Sequence, residues 1–378
     1  MPDFPLHQFP VVDHLIHLNH AAVGPWPKCT TQAVQAFAEQ NLQVGSQHYL
    51  QWLEVEKNLR NNLATLIHAS SPDEIALVKN TSEGLSFIAY GLDWNKGDNV
   101  VGIRQEFPSN RYVWDSLADQ GVAFRKLDLD PVDDPEQGLF ALCDENTRLV
   151  SISAVQYADG YRMNLQRVGE FCRANNILFC VDAIQHIGAL PFDVQAIQAD
   201  FAIADGHKWL LAPEGLGLFY VRHDVMDRLR IRQFGWHMVE SIVDYTDQDF
   251  ELNKTARRFE CGSPNMLGIH ALNASVELLL QTGLQAIGER VIDNSRFLMN
   301  QLSGIERVRL LSDSTEERLS GIVTFAVEGV DMQQLYQQLG QQNLLCAPRG
   351  GGIRLSPHFY TPREQLAQTV ELIRNLSS

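Results

Sequence analysis

Short apolar runs return again and again between residues 75 and 221, and helical stretches fill several of the gaps between them. This alternation constrains the fold more than anything else in the chain. The runs cover residues 75–79, 99–103, 123–127, 149–155, 178–181, 201–204 and 216–221. Most are continuously apolar, as expected for strands covered on both faces. Helical periodicity over 111–120 and 165–175 places helices between strands. The pattern predicts a largely parallel sheet with helices on both faces, an α/β architecture. Two helices, 30–43 and 49–67, precede it, and Ser71-Pro-Asp-Glu resembles a helix start with a serine cap.

The pattern changes after about residue 260. Helices at 267–282 and 284–302 precede strands at 308–311 and 322–327, a helix at 331–341, strands at 344–347 and 353–355, and a last helix at 363–376. A chain of 378 residues can bury a large core and divide into two lobes. The expectation is a large domain over 25–258 and a smaller α+β domain built from 1–24 and 259–378. Glu136-Gln-Gly and Asp313-Ser-Thr-Glu-Glu read as solvated loops.

In open α/β sheets, ligands bind at the carboxyl ends of the strands. Asp182 closes the run Ile177-Leu-Phe-Cys-Val-Asp, and Lys208 follows the run Phe201-Ala-Ile-Ala-Asp-Gly-His. A carboxylate and a lysine at two neighbouring strand ends suit pyridoxal 5'-phosphate (PLP). The amine can form a Schiff base with the aldehyde, and the carboxylate can hold the pyridine nitrogen protonated. Taken singly, Lys208 reads equally well as a solvated loop lysine and Asp182 as a helix cap. Asn80-Thr-Ser-Glu-Gly follows a strand and opens a helical run at 85–92. Its Thr81 and Ser82 hydroxyls and free amides could cradle a phosphate, or could simply cap the helix.

Val181-Asp-Ala-Ile-Gln-His and Asp205-Gly-His-Lys-Trp-Leu-Leu-Ala-Pro-Glu-Gly resemble the PLP signature of the class V aminotransferase family, which has the fold-type I architecture. The likeness runs from Leu18-Asn-His-Ala-Ala-Val-Gly-Pro to Ile353-Arg-Leu-Ser-Pro-His-Phe. It implies that Lys208 carries PLP, that Asp182 pairs with the ring nitrogen, and that Thr81, Ser82 and His207 hold the phosphate. Gln185 would donate to the phenolic oxygen, with Gln156 as a second donor and Tyr157 its rival. Phe107 falls where desulfurases stack a histidine on the ring; it can stack but cannot move protons. Asp205 replaces a serine common in desulfurases, and a carboxylate there would repel the phosphate unless it points away or other donors take over. Arg354, with Arg349 as second candidate, would fork onto a substrate carboxylate. Asn19 and His20 match the segment that lines the substrate pocket. Ser263, in Arg258-Phe-Glu-Cys-Gly-Ser-Pro-Asn, would reach the partner's phosphate, which implies a C2 homodimer with a composite site.

The resemblance fixes the cofactor better than the reaction. An amino acid substrate would lose its α-proton to Lys208, and transamination or β-eliminating C–S lyase chemistry is expected to follow. Cysteine desulfuration or selenocysteine lysis ranks second, because the span Leu344-Leu-Cys-Ala-Pro-Arg-Gly-Gly-Gly-Ile-Arg is short and Cys346 sits in an apolar strand pattern. Isopenicillin N epimerase-like epimerisation is a further alternative, and a catalytically silent PLP-fold binding protein ranks last.

The formal net charge of −16 argues against nucleic-acid or anionic-membrane partners. The six cysteines are scattered, with no C-x-x-C pair, so no metal site is expected and reduced thiols in a cytoplasmic protein are the default. The N-terminus shows no signal-peptide pattern, and no apolar run is long enough to span a bilayer.

Overall fold

The structure, a computed structural model, describes residues 4–130, 132–241 and 250–377. Residues 1–3 and 378 of the expected small domain, and 131 and 242–249 of the large one, lie outside the described residues. The chain enters through a short strand, β1 (Ile16–His17), and two helices, α1 (Lys28–Val44) and α2 (Tyr49–Leu66). Alternation then begins with β2 (Ile75–Val78), α3 (Thr81–Gly91), β3 (Asn99–Ile103), α4 (Ser109–Asp115), β4 (Ala123–Leu127) and α5 (Pro135–Leu142). It continues with β5 (Thr147–Ser153), α6 (Leu165–Ala174), β6 (Leu178–Asp182), β7 (Phe201–Asp205) and β8 (Gly217–Val221).

These strands form one sheet in the order β2-β8-β7-β6-β5-β3-β4. The run from β7 to β4 is parallel, while β8 lies antiparallel to both of its neighbours. Every residue of β3, β6, β7 and β8 is buried, which explains their continuous apolar character. One apolar cluster, with Val150, Val181, Ala202 and Leu218, covers one face; another, with Val100, Leu149, Cys180, Phe201 and Phe219, covers the other. Helix α3 starts earlier than its apolar run, because Asn80 adopts an extended conformation and its side chain accepts from Glu83 N at 2.9 Å. Ser71 caps only a single 3₁₀ turn, Pro72–Glu74.

The C-terminal part comprises α7 (Met266–Thr282), α8 (Leu284–Leu302), β9 (Val308–Leu310), β10 (Val323–Val327), α9 (Met332–Gln341), β11 (Leu344–Leu345), β12 (Ala347–Arg349), β13 (Gly352–Leu355) and α10 (Arg363–Leu376). Its sheet is antiparallel, β12-β13-β10-β9, while β11 pairs in parallel with β1. Ile16 and Leu18 therefore join a third cluster with Leu298, Phe325, Ile353 and Ile373. In α8, Ile287 and Val291 pack with the large sheet, whereas Leu298 and Leu302 pack in the third cluster. We propose that the small lobe begins within α8 rather than at residue 259.

Two sequence expectations need correction. The strand expected at 344–347 is broken at Cys346, because Leu344 and Leu345 turn toward β1 and Ala347 turns toward β13. Glu136 does not lie in a solvated loop: it is fully buried in α5 and accepts from Arg318 Nη1 and Nη2 at 2.6 and 2.8 Å.

Candidate active site

A cavity of about 250 Å³ opens at the carboxyl ends of the central strands. Ser153, Asp182 and Asp205, the last residues of β5, β6 and β7, all line it. So do Thr81, Ser82, Phe107, Tyr157, Gln185, His207, Lys208, Arg349 and Arg354. Most of the residues singled out in the sequence thus meet in one place. Asn19, His20, Gln156 and Ser263 are not on its wall.

The loop that carries Lys208 is clamped from both sides. Gly24 N donates to His207 O at 2.8 Å, and a Cβ on Gly24 would lie 2.3 Å from Lys208 O. Only glycine allows that approach. Beyond the lysine, Leu211 takes φ +59°, and Ser275 Oγ donates to Leu210 O at 2.6 Å and Leu211 O at 3.2 Å. A left-handed leucine is strained and persists because its surroundings fix it. Lys208 Nζ makes no ion pair among the described residues and sits 5.7 Å from the Phe107 ring centroid. Burial pushes its pKa down to about 8, opposed by the charge of Asp182. Phe107 is 44% exposed, lines the cavity and meets Tyr157 edge-on at 5.2 Å.

Asp182 is buried, and among the described residues its carboxylate accepts one hydrogen bond, from Ile184 N at 3.2 Å. Burial, and then the neighbouring Glu106, push its pKa upward. Glu106 is a residue that sequence reasoning missed. It is 1% exposed and accepts from Ser153 N at 2.7 Å, from Ser153 Oγ, and from Gln156 Nε2 at 3.0 Å. Gln156 Oε1 is buried without a partner among the described residues. Gln156 thus lies behind the wall, holding Glu106, while its neighbour Tyr157 reaches the cavity. Gln185 donates to Ala21 O and accepts from Trp209 Nε1, both at 2.9 Å, leaving one amide hydrogen free.

At the start of α3, Ser82 Oγ donates to Ser109 Oγ at 2.8 Å. Asp205 does not point away: Thr81 Oγ1 donates to its Oδ1 at 3.0 Å. His207 Nδ1 lies 3.5 Å from Asp205 Oδ2 and has no hydrogen-bond partner among the described residues. Burial raises the Asp205 pKa to about 6.

Arg354 is 2% exposed; Nη1 donates to Tyr157 O at 2.6 Å and Nε has no partner among the described residues. It forms no ion pair among the described residues, and burial together with Arg349 pushes its pKa down to about 10. Arg349 is exposed, with Nη1 on Pro348 O at 2.9 Å. His20 is fully buried: Nδ1 donates to Ser356 O at 2.8 Å and Nε2 accepts from Tyr360 at 2.6 Å. It props the Ala21–Val23 wall from behind. Asn19 Oδ1 is buried without a partner. Ser263 lines a separate hollow with Lys79, Glu83 and Cys261.

The residues fit PLP. A buried acid with one hydrogen bond among the described residues can take a protonated ring nitrogen, an amine without an ion pair among them can take the aldehyde, and the start of α3 offers backbone amides to a phosphate, with two hydroxyls that can turn to it from Asp205 and Ser109. The sheet, the smaller lobe and the strand-end acid and lysine define the fold-type I class of PLP-dependent enzymes. The aminotransferase class-V family profile matches residues 16–361, and the chain belongs to that PLP-dependent family. It is 30% identical to a probable cysteine desulfurase of Methanothermobacter thermautotrophicus, over 96% of each chain. An uncharacterized aminotransferase of Bacillus subtilis, YcbU, is 28% identical over 97% of this chain and 95% of its own. Among solved structures, a C-DES mutant with glycine covalently linked to its PLP cofactor superposes with a TM-score of 0.92 at 22% identity, covering 99% of this chain and 100% of that one. The apo cysteine desulfurase of Thermococcus onnurineus gives 0.88 at 22% identity, covering 100% and 99%. No helix of the described residues is long and apolar enough to cross a membrane.

Proposed function

We propose that this chain is a PLP-dependent lyase that removes the α-proton of a sulfur-containing amino acid with Lys208 and expels the β-sulfur. The observation that carries this reading is the make-up of the cavity: Asp182, Lys208 and Arg354 converge there, and no cysteine is among its lining residues. The relatives named for cysteine desulfuration support a sulfur amino acid as substrate. When bound, PLP supplies an aldehyde for the lysine amine and a ring that accepts the electron pair left at the α-carbon.

The chain's own residues do the rest. Thr81, Ser82 and His207 hold the phosphate end. Asp182 keeps the ring nitrogen protonated, and that proton relieves the cost of burying its carboxylate. Arg354 binds the substrate carboxylate, which answers a guanidinium that has no anion of its own. Lys208, an amine of lowered basicity on the cavity wall, would take the α-proton and hand it on. Phe107 packs on the ring and cannot carry a proton itself. The pair left at the α-carbon would close an α–β double bond as the bond from the β-carbon to sulfur breaks; the sulfur leaves with that bonding pair and takes a proton from the Lys208 ammonium, and the released enamine tautomerises to an imine that water hydrolyses to a keto acid and ammonia.

We further propose a cytoplasmic homodimer. Ser263 lies outside its own chain's cavity, and large apolar side chains such as Leu50, Phe234 and Leu267 are exposed.

Single-turnover spectra with a panel of amino acids, with keto acid, ammonia and sulfide assayed together, test the reaction. Ammonia with regeneration of the starting spectrum supports elimination. Accumulation of pyridoxamine phosphate without ammonia would show an aminotransferase instead.

A further inference from the structure

Asp205 sits where a phosphate should be welcome. It ends β7, lines the cavity and takes the hydroxyl of Thr81, one of the groups proposed to hold the phosphate. On one side stands α3 with Thr81, and on the other β8, whose Gly217 pairs with Asp205 and offers no charge. The charged groups around it are Lys208, which favours its ionisation, and Glu214 and Asp182, which oppose it. His207 Nδ1, 3.5 Å from its Oδ2, has no hydrogen-bond partner among the described residues. A carboxylate beside a phosphate dianion would be strongly repelled in so buried a place. A protonated carboxyl would instead donate a short, charge-assisted hydrogen bond.

We propose that Asp205 makes cofactor binding proton-linked: the phosphate enters the cradle together with one proton, held between the Asp205 carboxyl and a phosphate oxygen. This rests on the PLP reading of the site and adds to it a dependence of cofactor retention on pH. The proton comes from solvent and returns there on release. The free carboxyl titrates near pH 6, and a neighbouring phosphate raises its pKa further. Above about pH 6 the free site is ionised and must take up a proton to bind. Affinity therefore falls as pH rises through that range.

The test uses apoprotein and pyridoxamine 5'-phosphate, which has no aldehyde and so makes no link to Lys208. Dissociation constants are measured from pH 6.5 to 8.5 for the wild type, Asp205→Asn and Asp205→Ser. Titration of the ligand is common to all three proteins and cancels in the ratio; because Asp205 raises the Lys208 pKa, the Lys208→Ala versions of all three are measured beside them. The wild type should weaken by about tenfold per pH unit relative to either variant, the slope of one linked proton. Calorimetry at pH 7.5 in two buffers of different ionisation heat should count about one more proton taken up by the wild type. Parallel profiles and equal proton counts would overturn the role of Asp205 while leaving the cofactor assignment intact. Absence of binding in all three proteins would overturn both. Should neither variant fold, Asp205→Ala takes their place, and its slope and proton count relative to the wild type are read in the same way.

Discussion

Two buried clusters of charge lie in this molecule, and they are built in opposite ways. Around Arg60, each charge is met. Its Nη1 donates to Glu260 Oε1 at 2.5 Å and Ile75 O at 2.9 Å, and its Nη2 to Glu56 at 2.5 Å and Glu260 Oε2 at 2.7 Å. Glu260 also accepts from Leu77 N at 2.8 Å, which ties β2 to the segment before α7. In the cavity, by contrast, Asp182 has one hydrogen bond, and Lys208 and Arg354 have no ion pair among the described residues. Burying charge without partners is costly, so the first arrangement serves the fold and the second works against it. A protein tolerates such a cost where a ligand relieves it. The contrast marks the cavity as functional without reference to any relative.

Substitutions in the two clusters should therefore separate stability from activity. The largest effect is expected for Lys208→Ala. Turnover should fall by roughly a thousandfold or more, the scale of losing a positioned proton carrier, while the apoprotein keeps its melting temperature. In the wild type, borohydride reduction and peptide mapping should find the cofactor on Lys208; a label on another lysine would sink the assignment. Next comes Glu260→Ala, which leaves Arg60 buried with only Glu56 and should cost about 3–5 kcal/mol in denaturant unfolding. Its turnover per folded molecule should stay near wild type, and a loss of turnover without a loss of stability would erase the distinction between the clusters. Asp182→Asn should retain PLP and lose roughly 10²–10³-fold in turnover, as for removal of a preorganised charge partner. It also makes a pH prediction. The folded pKa of Asp182 is raised from 3.8 toward about 7, so its ionisation destabilises the apoprotein as pH rises through that window. Apo Asp182→Asn should melt above the wild type at pH 8, and the gap should close toward pH 4. A gap that widens on acidification would mean that the carboxylate is satisfied in the apoprotein.

What the sequence revealed follows from the range over which each signal acts. Asp182 and Lys208 were legible because fully buried strands read as continuous apolar runs, and their polar ends then stand out. Thr81 and Ser82 were legible because a helix start has a local grammar. Glu106 was not, because its partners Ser153 and Gln156 lie about fifty residues away on β5 and just beyond it. Nothing near Glu106 distinguishes it from a surface acid. Glu136 misled for the same reason, since Arg318 is 182 residues distant. A local clue did exist there: Asp134 caps α5 and Pro135 occupies its first turn, a recognisable helix start. The break at Cys346 depends on β1 pairing with β11 across the whole chain, which no local pattern records.

That break sets the smallest expected effect. Cys346 is 1% exposed, and burial alone pushes its thiol up to about 12. A thiol of that basicity is almost never ionised near neutrality, and the thiolate is the form that attacks sulfur. It is also held between two short strands, β11 on β1 and β12 on β13, which leaves no long arm to carry a persulfide from substrate to acceptor. Cys346→Ala should therefore cost roughly 1 kcal/mol of stability for a small buried side chain, and turnover should change at most a few-fold. The opposite result has a definite meaning. If the variant kept its cofactor link and melting temperature but no longer released sulfide from cysteine, the β11–β12 segment would have to open during turnover. The cavity would then borrow its nucleophile from the small lobe, and cysteine desulfuration would displace direct elimination as the reaction of this chain.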